Sequence, residues 1–247
     1  MIFAFVQARM GSTRLPGKVM KNINKKPLIW HVIDRLKYSK NINKIIILTT
    51  INKKDDVLFK WCRNHNLEIF RGDEENVVKR FYDAAINFKL SDNDIIIRIT
   101  SDDPFKDPLI IDKMIDILTE KKLDFIFNNC PPTFPEGLDI EIFRFSLLKN
   151  NIDEIQNSFD KQHVTQYFYR MTEIKKENFF NSVDQSDLRW TIDTIDDLKM
   201  TKKIYKLLYQ ENNIFTTNDI INLLENKVDI KNINKNVKRS FMYEKDI

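Results

Sequence analysis

Over its first hundred residues the chain alternates short apolar runs with amphipathic stretches. Residues 2–6, 44–50, 67–70 and 94–100 read as strands, each rich in Ile, Val, Phe or Leu and bounded by turn-forming or charged residues. Residues 26–36, 55–66 and 76–88 carry apolar side chains at helical spacing between them. Strands that are apolar on both sides must be covered on both faces. The alternation therefore predicts an α/β chain, a parallel sheet between two helical layers. Ligands bind such sheets outside the carboxyl ends of the strands. That edge collects residues 7–18, Thr49-Thr50, Arg71-Gly72 and residues 100–103.

Further along, residues 108–118 read as a helix and 124–129 as a strand. A Pro-rich turn at 131–137 opens an alternating strand over 138–143, and an amphipathic helix begins at Asp160. Residues 188–193 read as a last strand, capped at Thr194 into helices over 199–225, with a polar tail from Lys227. The tail is expected to wrap the domain or to enter dimer contacts. At 247 residues with 42% hydrophobic content, the chain suits one domain over 1–247, with 130–185 as an acceptor-side and dimerisation subregion. Net charge is +4, but basic and acidic residues are interspersed, so no nucleic-acid partner is expected. Cys62 and Cys130 lack metal-ligand spacing and read as reduced thiols. No run has signal or transmembrane length, which points to a cytoplasmic protein without a membrane partner.

Two of only four glycines lie just after the first strand, in Gln7-Ala8-Arg9-Met10-Gly11-Ser12-Thr13-Arg14-Leu15-Pro16-Gly17-Lys18. Such a loop can lay backbone N–H groups and cations along a polyphosphate. It is not a GxxxxGK[ST] loop, because Val19 follows Lys18, and GxGxxG is absent. Asp102 and Asp103 follow the strand at 94–100, where a carboxylate can hold Mg²⁺ and share it with phosphates. Asp107 before Pro108 reads as a helix cap.

The QARMGSTRLPGK loop resembles the signature of cytidylyltransferases that activate acidic sugars, nearest to the spore-coat-polysaccharide type. The segment at 100–104 is similar to TADCP with Asp103 replacing Cys, RWTID at 189–193 is similar to the second metal motif, and PEGLDIEIF at 135–143 is similar to the acceptor-side motif. DKQHVTQY at 160–167 is similar to EHVTPY, with Gln162 and Gln166 replacing Glu and Pro. The resemblance implies a Rossmann-like nucleotide-diphospho-sugar-transferase (GT-A-like) fold. It also implies transfer of CMP from CTP to a sugar acid or phosphorylated acceptor in surface polysaccharide biosynthesis, with release of pyrophosphate.

On this reading Arg14, Lys18, Asp102 and Asp193 are catalytic, and Asp102 and Asp193 hold Mg²⁺. Gln7, Ala8, Arg9, Gly11, Ser12, Thr13, Arg14, Lys18, Thr50, Arg71 and Thr100 bind the nucleotide. Arg98, Glu136, Asp139, Glu141 and His163 face the acceptor. On periodicity alone Asp139 and Glu141 form an exposed polar face, and either would sit awkwardly against an acidic acceptor unless the metal or Arg98 screened it. Asp103 is either a second ligand or an added charge. A homodimer is expected by analogy. A glycosyltransferase of the same fold is the alternative, though Ser101-Asp102-Asp103 is not the DxD such enzymes use.

Overall fold

The computed structural model describes residues 1–240 and Tyr243; residues 241, 242 and 244–247 of the polar tail lie outside the described residues. The chain runs β1 (Ile2–Gln7), a two-residue hairpin β2 (Asn22–Ile23) and β3 (Lys26–Pro27), α1 (Leu28–Leu36), β4 (Lys44–Thr50), α2 (Asp56–Asn64), β5 (Glu68–Gly72), α3 (Val77–Asn87), β6 (Ile95–Thr100) and α4 (Pro108–Glu120). Then follow β7 (Phe125–Phe127), β8 (Glu141–Arg144), α5 (Phe145–Asn151), α6 (Ser158–His163), α7 (Gln166–Arg170), β9 (Lys176–Asn178), α8 (Ile195–Leu208), α9 (Thr217–Asn226) and α10 (Val228–Lys231).

The main sheet has the order β5-β4-β1-β6-β8-β7-β9. Its first four strands are parallel, with Phe5 of central β1 opposite both Ile46 and Arg98. Alternate residues of β1 face opposite layers. Phe3 and Phe5 pack with α3, α5 and α7, whereas Ala4 and Val6 pack with α1 and α4. The expected α/β layering is therefore present.

The sheet is mixed, however, not parallel throughout. β8 runs antiparallel to both β6 and β7. No crossover helix separates β7 from β8, and a loop return allows antiparallel pairing. The Asn128 side chain closes that loop, donating to Leu138 O at 2.9 Å and accepting from Ile140 N at 2.7 Å. Residues 138–140 thus precede the strand instead of belonging to it.

Residues 188–193 are not a sheet strand either. They run extended beside 136–138, with Glu136 N donating to Leu188 O at 2.9 Å and Trp190 N to Glu136 O at 2.7 Å. Trp190 and Ile192 are drawn into a second hydrophobic cluster with Phe105, Tyr205, Phe215 and the apolar faces of α8 and α9. Gly137 makes this approach possible. Its φ is +104°, and an added Cβ would lie 2.6 Å from Thr191 N and 2.9 Å from the Trp190 carbonyl carbon. Gly137→Ala is expected to destabilise the protein by about 3 kcal/mol or more, read as a lower urea midpoint, because both the backbone angle and the contact oppose it.

Local signals set the helix starts. Asp107 caps α4 through Leu109 N, with Pro108 in the first turn. Thr194 and Asp197 form a capping box on α8, and Thr216 and Asp219 another on α9. The helix expected from Asp160 is instead two short helices, α6 and α7, broken at Val164. The described tail wraps the domain: Asn234 Nδ2 donates to Arg189 O at 3.0 Å and to Asp197 Oδ1 at 2.8 Å. Both cysteines are free, and burial pushes the Cys62 thiol up to about 12. Among the described residues no helix is long and apolar enough to cross a membrane.

Candidate active site

A cavity of about 580 Å³ opens at the carboxyl ends of β1 and β6, on the α3 side of the sheet. The loop after β1 forms its floor. Ala8 N donates to Leu48 O at 2.9 Å, Met10 N to Asp55 Oδ1 at 2.7 Å and Gly17 N to Met10 O at 3.1 Å. Leu15 is buried in the second cluster and anchors the far end of the loop. Gln7, Ala8, Arg9, Gly11, Ser12, Thr13, Arg14 and Lys18 all line the cavity, as do Arg98, Thr100, Asp102, His163 and Asp193.

The chemistry concentrates at Lys18. Its ammonium lies 2.6 Å from Asp102 Oδ2 and 2.8 Å from Asp193 Oδ1, and donates to Ile192 O at 2.9 Å. Asp102 lies two residues beyond β6, and Asp193 lies two residues before α8. Ile192 N donates to Asp102 O at 2.9 Å, which brings the two aspartates side by side across 90 residues of sequence. Burial works against the Lys18 charge, but Asp102 and Asp193 outweigh it and the ammonium titrates above its ordinary value. Burial likewise opposes ionisation of Asp102, yet Lys18 holds that carboxyl below its ordinary value.

Asp193 is held from three sides. Arg14 reaches Oδ1 at 2.9 Å, and Arg189 donates to Oδ2 at 2.8 Å. Arg189 in turn pairs with Asp197 at 3.1 Å and with Glu136. Burial opposes the Arg189 charge, but Glu136 and Asp197 raise its pKa above the ordinary value. Sequence reading assigned Glu136 to the acceptor side. The structure instead buries it, with Arg189, Arg239 and Ser240 N as its partners, away from the cavity lining.

Four other predicted site residues are also placed elsewhere. Thr50 is buried, and its hydroxyl bonds Asp55, which supports Met10 N in the loop. Arg71 donates to Thr50 O at 2.8 Å, Asp56 Oδ1 at 2.7 Å and Asn52 O at 2.9 Å, so it braces the 50–56 turn. Asp139 accepts from the Tyr243 hydroxyl and from Gly137 N at 3.3 Å, and burial raises its pKa. Glu141 is 2% exposed, not on an exposed polar face. It accepts from Arg98, from Thr165 between α6 and α7, and from Tyr169 on α7. Asp103 lies outside the lining too. It accepts from the Thr100 hydroxyl and, at 2.9 Å, from the fully buried Lys106, while burial pushes its carboxyl up to about 6.

Arg98 is the link between this interior network and the cavity. Glu141 holds one edge of its guanidinium, and its Nε donates to Gln7 Oε1 at 3.2 Å. The Tyr169 hydroxyl, 2.8 Å from Glu141 and 2.6 Å from Asn129 Oδ1, locks the acid in turn. Beside it Val164 adopts φ 61°, ψ −60°, and Thr165 N donates to His163 O at 2.7 Å. This is a γ-turn, a strained geometry for a β-branched residue. It turns Gln162 and His163 toward the cavity and Thr165 toward Glu141. Burial, then Arg98, lowers the His163 pKa, which leaves a neutral imidazole at pH 7.

Sequence reasoning missed Arg80. It is 3% exposed yet lines the cavity, donates to Asp73 O at 2.9 Å, and keeps its Nε without a partner. Burial, then Arg9, lowers its pKa to about 10, so it remains cationic at neutral pH. Gly72 makes room for its stem, since a Cβ there would lie 2.8 Å from Arg80 Cγ. Position 80 falls on the apolar stripe of α3 with Val77 and Ala84, and a cation on an apolar stripe is a readable signal. Glu74, Glu75, Ser101 and Gln162 also line the site. Five basic side chains thus face four acidic ones (Glu74, Glu75, Asp102, Asp193) around a cavity of nucleotide size.

The chain is similar to several known proteins. The spore coat polysaccharide biosynthesis protein SpsF of Bacillus subtilis is 30% identical over 92% of this chain and 95% of its own length. An 8-amino-3,8-dideoxy-manno-octulosonate cytidylyltransferase of Shewanella pealeana is 30% identical over 67% of this chain and 63% of its own length. The solved structure of a cytidylyltransferase from Leptospira borgpetersenii superimposes with a TM-score of 0.86 at 31% identity, covering 93% of this chain and 96% of the other. Residues 3–240 match the cytidylyltransferase family as a whole, and the chain belongs to that family of nucleotidyltransferases.

Proposed function

We propose that the protein transfers CMP from CTP to a hydroxyl of a sugar acid, releasing pyrophosphate, and does so in the cytoplasm for surface polysaccharide synthesis. The observation that carries this reading is the meeting of Asp102 and Asp193 on one cation at the foot of a basic, glycine-containing loop. Arg9, Arg14, Lys18 and Arg80 would bind the triphosphate, and Ser12 with the loop backbone would bind the departing pyrophosphate. The acceptor hydroxyl gives up its proton to solvent as its oxygen attacks the α-phosphorus, the bond from that phosphorus to the α–β bridging oxygen breaks, and the electron pair leaves with pyrophosphate. The protein's task is to hold the reactants in line and spread their charge.

Asp102 and Asp193 suit Mg²⁺: two hard oxygen donors converge on one point, now held by the Lys18 ammonium. Bound there, Mg²⁺ would supply charge neutralisation at the α-phosphate and polarise the acceptor oxygen. Arg98, Gln162 and His163 would face the acceptor. With Glu141 neutralised by Arg98 and Asp139 outside the lining, nothing in this network repels an acidic acceptor. The name of the Shewanella relative's substrate, an amino-sugar acid, supports that class. A homodimer through 130–185 is supported by exposed Phe180 and Val183, and sedimentation analysis would test it.

The test is pyrophosphate release from each of the four ribonucleoside triphosphates with Mg²⁺, against sugar acids and phosphorylated acceptors. Release from CTP alone, dependent on a sugar acid and lost in Asp102→Ala, is the expected result. No release from any triphosphate, together with no CTP binding by calorimetry, would overturn it in favour of a nucleotide-sugar donor.

A further inference from the structure

The position offered to the divalent cation is already filled by the chain itself. All three Lys18 ammonium protons are used, on Asp102, Asp193 and Ile192 O, and the residue is 9% exposed. Arg14 adds a second positive charge on the same Asp193 oxygen, at 2.9 Å. A metal approaching this pair before nucleotide would have to displace an ammonium and join two positive neighbours. A triphosphate changes the balance, because its oxygens offer Lys18 and Arg14 new partners and bring their own negative charge.

We propose that Lys18 is the resident counter-ion of the Asp102–Asp193 pair in the nucleotide-free enzyme. It keeps divalent cations out until a nucleoside triphosphate draws the ammonium onto its phosphates, so metal and nucleotide enter together. The inference rests on reading Asp102 and Asp193 as the cation's ligands. It adds that Lys18 has two alternative sets of partners and that the exchange between them couples metal to nucleotide. The main-chain bond to Ile192 O defines the first set, since it places the ammonium between the carboxylates independently of their charge.

The test uses Mn²⁺ as the probe, followed by electron paramagnetic resonance on the whole protein without nucleotide. A neighbouring cation shifts a carboxylate's proton affinity by roughly 1–3 pK units, so Lys18→Met is expected to bind Mn²⁺ about tenfold or more tightly than wild type. The double variant Lys18→Met/Asp102→Asn is expected to lose that gain. Equal affinity in wild type and Lys18→Met would overturn the proposal, as would a gain that survives Asp102→Asn, which would put the ion at other carboxylates. Should Lys18→Met fold poorly, Lys18→Gln carries the same expectation. Wild type alone gives a further check: Mn²⁺ without nucleotide should leave its Tm unchanged, and a rise would overturn the proposal. Calorimetry of Mg²⁺·CTP binding to wild type separates this outcome from the function: binding with no Lys18→Met gain removes only the counter-ion role, and no binding removes the cytidylyltransfer reading.

Discussion

Asp193→Asn is expected to lower turnover by about three orders of magnitude while the protein still folds. The substitution keeps an oxygen that can accept from Lys18 or Arg189 but removes the charge on which Lys18, Arg14 and Arg189 converge. The fold is expected to survive because Arg189 retains Asp197 and Glu136, and because Asp197 still accepts from the backbone N–H of position 193 at 3.0 Å. The measurement is single-turnover CMP transfer at saturating CTP beside a thermal melt. A variant that melts near wild type yet turns over normally would remove Asp193 from the chemistry. One that does not fold would make the carboxylate primarily structural.

A second large effect is expected at Glu141, whose role is indirect. Glu141→Leu strands the Arg98 guanidinium and two hydroxyls, Thr165 and Tyr169, in a site with almost no solvent. Breaking a buried ion pair from one side typically costs about 3–5 kcal/mol, and that loss is expected in urea unfolding at pH 7. The pH dependence follows from the Glu141 carboxyl. Burial opposes its ionisation, but Arg98, Thr165 and Tyr169 outweigh burial and hold its pKa below the ordinary value. A depressed carboxyl contributes stability that is present above the unfolded pKa, about 4.3 for Glu, and that is lost as pH falls through the lower folded value. The stability gap between wild type and Glu141→Gln is therefore expected to be widest near neutral pH and to close below about pH 4.3. A gap that stayed constant with pH would mean that Glu141 acts only as a hydrogen-bond acceptor. Because Arg98 lines the cavity, the same variant is expected to raise KM for the acceptor more than it lowers kcat.

Both effects depend on residues that the sequence identifies to different degrees. Lys18 is legible from its place in the glycine-containing loop, Asp102 from following an apolar strand, and Asp193 from the RWTID segment just before the Thr194 cap. Arg98 is legible as a charged residue inside an otherwise apolar strand. Thr50 and Arg71 share the strand-end position but not the site, since their polar groups are consumed in bracing the turn that carries Asp55. Glu136, Asp139 and Glu141 stand in one motif and point to three different networks. Arg80, by contrast, reaches the cavity from a helix, and its one mark in the sequence is a cation on the apolar stripe of α3.

The sequence by itself determined the parallel half of the sheet, the helices around it and the glycine-containing loop, because those depend on local periodicity, capping and turn chemistry, while Asp102 and Asp193 stand out through the family motifs that their segments resemble. Only the tertiary structure decided which carboxylates face the cavity and which are neutralised inside, and that the sheet turns antiparallel after β6. The same holds for Lys18 standing between Asp102 and Asp193. The physical reason is that an ion pair is chosen by distance in space. A chain that buries several acids near several bases leaves the pairing open until long-range contacts such as Ile192 N to Asp102 O close it.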